Sequence, residues 1–142
     1  MAAANFRDLI VWQTYELSVK TYAITKNFPK SEMFGLISQM TRAAVSVCSN
    51  IAEGFGGFGV KEKDKFYAIS TGSLTELECQ YLLARGIGYI TEPINLKIMT
   101  LIDETQRLLS GLQKPISQRE TEARFFNLQS IFYNLSYGTR IA

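Results

Sequence analysis

The stretch Ile37–Phe55, ISQMTRAAVSVCSNIAEGF, decides the fold. Its apolar residues Ile37, Met40, Ala44, Val47, Ile51 and Phe55 recur at steps of three and four, the period of one face of an α-helix. A second set, Arg42, Ser46, Ser49, Asn50 and Glu53, keeps helical spacing on a different face. The segment holds no His, no metal-ligand pair and no nucleophile–base pair. A greasy stripe beside an ordered polar one points to assembly rather than catalysis.

Working outward, the segments on either side are also helical. Upstream, a helix is expected from about Phe6 to Asn27, with Trp12, Tyr15, Val19 and Tyr22 lining one side and Leu9 and Leu17 nearby. Phe28-Pro29 ends it, because the residue before proline is pushed out of the α region. Ser31 is expected to cap the second helix. Downstream, GFGGFG (Gly54–Gly59) reads as the turn to a third helix. It makes a poor dinucleotide fingerprint, because a helix rather than a strand precedes it.

The third helix covers about Val60–Arg85, with Phe66, Ile69, Leu74, Leu77, Tyr81 and Ala84 as its apolar side. Gly72 and Ser73 sit in its middle, where small residues cost helix propensity and mark the close approach of another helix. Gly86 and Gly88 end it. A fourth helix starts near Glu92-Pro93, proline suiting a first turn. Ile94, Ile98, Leu101, Thr105, Leu108 and Leu112 form its bundle-facing seam. No segment alternates long enough for a strand. The expected fold is therefore all-α, an antiparallel up-down-up-down four-helix bundle over residues 1–115, with a C-terminal extension over 116–142. In that extension Phe125, Phe126, Leu128, Ile131, Phe132, Tyr133 and Leu135 suit a short helix with an aromatic face, docking on the body or on a neighbouring subunit. A disordered end is the alternative.

The bulk numbers fit this reading. The chain has 142 residues, enough for one domain, with 46% hydrophobic and 20% charged residues. A net charge of +2 is too small for a uniformly basic nucleic-acid surface, so such binding needs locally clustered cations. The complete absence of His removes the commonest general base and the commonest zinc ligand. Cys48 and Cys79 form no CxxC motif and, among apolar helical neighbours, are expected to be buried thiols in a reducing compartment. The start MAAANFRDLIVW does not resemble a secretory signal, and no apolar run is long enough to span a bilayer. A cytoplasmic protein without cofactor or metal is expected.

Several motifs together, FRDLIVWQ (Phe6–Gln13), Phe28-Pro29, GLISQMTRAAVSVCSNIAEG (Gly35–Gly54), GSLTELECQ (Gly72–Gln80) and GYI (Gly88–Ile90), closely resemble the four helix bundle protein family. Its members are also described as proteins of 23S rRNA intervening sequences, or S23-type proteins. The resemblance covers about residues 6–112. It implies an antiparallel four-helix bundle that assembles as a homopentamer. One related branch, the accessory variability proteins of diversity-generating retroelements, binds nucleic acid and a reverse transcriptase. The chain departs from the family pattern at several places, one of them a residue fewer just after WQ. Thr41-Arg42 stands where two basic residues are usual, Cys48 where proline is usual, and the uncharged GFGGFG where a basic, serine-containing turn is common. The loss of cations at two of these sites lowers the expectation of nucleic-acid binding more than it disturbs the fold.

Three constellations remain. Arg42, Ser46, Asn50 and Glu53 on the second helix are expected to face Ser73, Glu76 and Gln80 on the third as a polar network or subunit interface. Arg42 with Lys61, Lys63 and Lys65 is the candidate nucleic-acid contact, although Glu62 and Asp64 interleave the lysines and make a solvated helix start the plainer reading. Trp12, Tyr15, Tyr22, Phe66 and Tyr81 could stack bases, but at helical spacing they are expected in the core. Asp103-Glu104 and Glu76/Glu78 share no helix face and form no acid–base pair. The expected function is a non-enzymatic oligomeric scaffold or accessory protein whose partner is RNA or a nucleic-acid enzyme. The alternative is a structural or protein-interaction module with no affinity for nucleic acid.

Overall fold

A computed structural model of the chain describes residues 5–113. Within them lie four α-helices: α1 (Phe6–Thr25), α2 (Leu36–Gly56), α3 (Val60–Gly86) and α4 (Glu92–Leu112), with a short 3₁₀ turn at Lys30–Glu32. No strand occurs among the described residues. Each helix packs on its neighbours in the cycle α1–α2–α3–α4–α1, with α2 and α3 the most closely associated pair. The result is the expected up-down-up-down bundle. The aromatic run within 116–142 lies outside the described residues.

Local chemistry sets the ends. Asn5 Oδ1 accepts from the Asp8 amide at 2.9 Å and opens α1, and Asp8 adds negative charge to its first turn. Phe28 turns back into the core and lies 5.1 Å from the Tyr89 ring. The Tyr89 hydroxyl donates to Glu32 Oε1 at 3.0 Å, so the α1–α2 and α3–α4 connections are tied together at one end. Gly88, at φ 84°, makes the left-handed step out of α3. At the other end the Arg7 guanidinium lies 4.8 Å from the centroid of the Phe55 ring, which fastens the start of α1 to the end of α2.

Ser31 does not cap α2. Glu32 takes that place: its Oε2 accepts from the Leu36 amide at 2.9 Å, and the helix begins four residues later than a Ser31 cap requires. The longer carboxylate reaches across the 3₁₀ turn, and it brings a full negative charge to the helix start. Two of the turn glycines also stay helical, since α2 runs through Gly56 and only Gly57, Phe58 and Gly59 separate it from α3.

The core is contiguous. Ile10, Leu17, Met40, Ala44, Val47, Ile51, Leu74, Leu77, Tyr81, Ala84 and Leu109 are fully buried within it. On α3, Phe66 is half-buried and Ile69 exposed, while Tyr67 and Ser70 point inward. The unbroken 3–4 spacing runs 67, 70, 74, 77, 81, 84, which the choice of 66 and 69 had missed by a residue. On α4, Ile94 is partly exposed, and Ile102 and Leu109 join the seam. Cys79 is exposed and Cys48 half-buried, so neither is the buried thiol expected, and both are free.

The largest correction concerns α1. Trp12 is 62% exposed, Tyr15 51%, Val19 49% and Tyr22 50%. Its buried side instead carries Ile10, Gln13, Thr14, Leu17, Thr21 and Thr25. Polar residues can line that side because each has a partner. The Thr14, Thr21 and Thr25 hydroxyls donate back to the carbonyls of Ile10, Leu17 and Thr21 at 3.0, 2.8 and 2.8 Å. The Gln13 amide donates to Glu104 on α4 at 2.7 Å. With their hydrogen bonds made, the threonines present methyl groups to the core at little desolvation cost.

Candidate functional site: the polar seam between α2 and α3

Small residues bring α2 and α3 together. Gly54 is buried against the Tyr67 ring, with no room for a side chain. Two turns earlier on α2, the Val47 carbonyl accepts from Ser70 Oγ of α3 at 2.8 Å. Next to that, Ser46 Oγ and Ser73 Oγ lie 2.7 Å apart. Asn50 Nδ2 donates to the Ser46 carbonyl at 2.8 Å and to Ser46 Oγ at 3.1 Å. These contacts fix one antiparallel register, because a slip of one residue would part all of them.

Of the residues singled out from sequence, Ser46, Asn50 and Ser73 thus meet in one network. Glu76 and Gln80 make their own pair along α3, with Gln80 Nε2 donating to Glu76 Oε1 at 3.0 Å. Gln80 is buried, and its Oε1 has no partner. Arg42 and Glu53 are not drawn in. Both are exposed, Arg42 near the start of α2 and Glu53 beside a shallow cleft formed with Ala52, Gly56, Gly57, Phe58, Glu62 and Phe66. In that cleft Glu62 Oε2 already accepts from the Phe58 amide at 2.9 Å. Sequence reading missed Gly54, Tyr67 and Ser70. Their signal was present as the continuous α3 spacing and as the first glycine of the run falling one helical turn beyond Asn50.

Lys61 and Lys65 are exposed at the start of α3, and Lys63 is half-buried. In the antiparallel register Arg42 stands opposite the Leu77 level, about 18 Å along the bundle from Lys65 at 1.5 Å per residue. The four cations therefore form no single patch within one copy. Other cations are engaged: Lys20 with Glu16 at 2.8 Å and Arg85 with Glu92 at 2.8 Å. Arg107 lies 3.9 Å from Asp103, a loose exposed pair. Among the described residues no group of His, Cys, Asp and Glu could hold a metal ion. None of the described helices is long and apolar enough to cross a membrane.

Across the core, Tyr81 shares a hydrogen bond of 2.8 Å with Thr21. Burial pushes its phenol up from 10.0 to about 12, and the Thr21 hydroxyl acts the other way. Tyr89 is also raised, chiefly by its hydrogen bond to the Glu32 carboxylate.

The seam's serine pair is testable. Ser73→Ala leaves Ser46 and Asn50 without their cross-helix partner and is expected to cost about 1 kcal/mol in a urea titration. A change below a few tenths of a kcal/mol would show that the pair adds nothing.

An all-α antiparallel bundle, closed by a small-residue seam between its second and third helices, is the class that the geometry defines. The family model for 23S rRNA-intervening sequence proteins matches residues 7–111, and the chain belongs to that family. A crystal structure of a protein of unknown function from the S23 ribosomal protein family of Bacteroides thetaiotaomicron is similar, with a TM-score of 0.72 at 20% sequence identity. The match covers 78% of this chain and 99% of that one, and at this identity it shows the fold alone. No curated protein gives a significant match.

Proposed function

We propose that the chain is a non-enzymatic scaffold that assembles with copies of itself through the outer face of α3. The supporting observation is Gly72. It is exposed in mid-helix, and a Cβ built there would meet nothing within 4 Å. A glycine in a helix interior costs about 1 kcal/mol relative to alanine, and among the described residues no contact calls for one at this position. Close approach of a second backbone supplies the reason. The surrounding face suits it: Cys79 and Leu83 share the line of Gly72 at 100° per residue, with exposed Ile69 and Ile87 beside them. Leu83 is 54% exposed.

The family description names 23S rRNA intervening sequences and no partner; RNA is the partner class that the sequence reading puts to the test. Contact with it would rest on Arg42, Lys61, Lys63 and Lys65, which only a symmetric assembly could gather into a continuous track. Light scattering of the full chain after size exclusion tests both parts. The wild type is expected at a multiple of 16.0 kDa, about 80 kDa for a pentamer. Leu83→Asp is expected to fall towards the single-chain mass with unchanged helical circular dichroism. A wild type that stays at the single-chain mass at every concentration would overturn the proposal. RNA that co-elutes at low salt and is released at high salt extends the function to nucleic acid; its absence restricts it to protein assembly.

A further inference from the structure

We infer that the outer face of α1 is the docking site of the chain's own C-terminal segment, residues 125–135. That face is amphipathic in reverse: the helix buries a threonine-lined side and leaves Trp12, Tyr15, Val19 and Tyr22 outside. The Trp12 and Tyr15 rings are already gathered, 5.4 Å between centroids. Large aromatic side chains each offer some 150–250 Å² for burial, so the stripe exceeds the scattered apolar residues of an ordinary surface.

The spacing of the stripe and of the segment agree. Trp12, Tyr15, Val19 and Tyr22 stand at i, i+3, i+7 and i+10, and Phe125, Leu128, Phe132 and Leu135 repeat the same steps. Two such seams are the a/d pattern by which helices interlock side by side. Each spans about 15 Å at 1.5 Å per residue.

The chain is also delivered to the right place. The Gln13–Glu104 bond sets α4 antiparallel to α1, so α4 ends beside the start of α1, a short way from Trp12. Residues 114–124 then supply a tether that can reach up to about 36 Å, more than the roughly 24 Å of α1 between Phe6 and Tyr22 at 1.5 Å per residue. A short tether holds the segment at an effective concentration in the millimolar range, which favours the chain's own segment over a second copy. The family model stops at residue 111, so this contact would be an addition to the shared bundle.

Trp12 is the only tryptophan in the chain and reports on the stripe directly. Its emission and acrylamide quenching in the full chain are expected to be those of a shielded indole, independent of protein concentration. Phe125→Asp combined with Phe132→Asp is expected to raise quenching severalfold and shift emission to the red. Tyr133→Asp, at a position outside that spacing, is expected to leave both unchanged. A solvent-exposed indole in the wild type would overturn the inference. So would shielding that survives the double substitution, or shielding lost on dilution in step with the measured mass, which would mark a second copy on α1. Far-UV circular dichroism of the variants confirms that the bundle is intact.

Discussion

Gly54→Ala is expected to lower the stability of the bundle by up to about 2 kcal/mol, although alanine is the better helix former. The gain in propensity is about 1 kcal/mol. Against it stands the Tyr67 ring, whose Cδ1 would lie 2.9 Å from the new carbon, with Cε1 closer still. Tyr67 is 2% exposed and belongs to the core, so the ring cannot swing into solvent. Either α2 and α3 move apart, which stretches the Ser70–Val47 and Ser46–Ser73 bonds, or the ring adopts a strained rotamer. Overpacking of this kind costs about 1–3 kcal/mol and occasionally more. Thermal and urea unfolding measure the loss. Gly72→Ala is the matched comparison: among the described residues nothing obstructs a methyl group, so its cost should appear in assembly and not in folding. Equal effects of the two substitutions on folding would mean that the helix contact at Gly54 is looser than described.

The second large effect is on stability at alkaline pH. In the folded chain Tyr81 keeps its proton up to a pH of about 12, against 10.0 for an unperturbed phenol. Below pH 10 both the folded and unfolded chains hold the proton, and the contribution of this group is fully present. As pH rises from 10 to 12 only the unfolded chain releases it, so stability falls by about 1.4 kcal/mol per unit and about 3 kcal/mol in all. Denaturant titrations between pH 9 and 12 should show this slope. Tyr81→Phe should remove this part of the slope, at a cost of about 1 kcal/mol at neutral pH from the lost Thr21 partner. An identical pH slope in the two proteins would contradict the assignment.

Most of the architecture was legible in the sequence because α2 and α4 announce their inner faces through apolar spacing, and α3 does so from Leu74 to Ala84. The α2 stripe from Met40 to Ile51 is buried as read, and the α4 seam from Ile98 to Leu112 largely so. Reading failed where burial is not apolar. On α1 two faces compete at the same period, and the more hydrophobic one lies outside. A threonine that returns its hydroxyl to the preceding turn is nearly apolar from outside, yet composition scores it as polar. On α3 Ser70 is buried for a similar reason, its hydroxyl spent on the Val47 carbonyl. The polar seam was half legible: Ser46, Asn50 and Ser73 were found by spacing, but Gly54 shows its role only once Tyr67 is seen lying against it. Arg42 and Glu53 keep the same spacing and still stand apart, because a helix period gives a direction and no depth.

The central claim is that the outer face of α3 is covered by another copy of the chain. Cys79 lies on that face and is exposed in the single chain, whereas Cys48 is half-buried and serves as the internal reference. The rate at which a bulky maleimide labels Cys79 therefore reads the face itself. The account predicts slow labelling of the concentrated wild type, with the rate rising on dilution and in Leu83→Asp. Labelling of Cys79 at one fast rate, whatever the concentration and in both proteins, would contradict it.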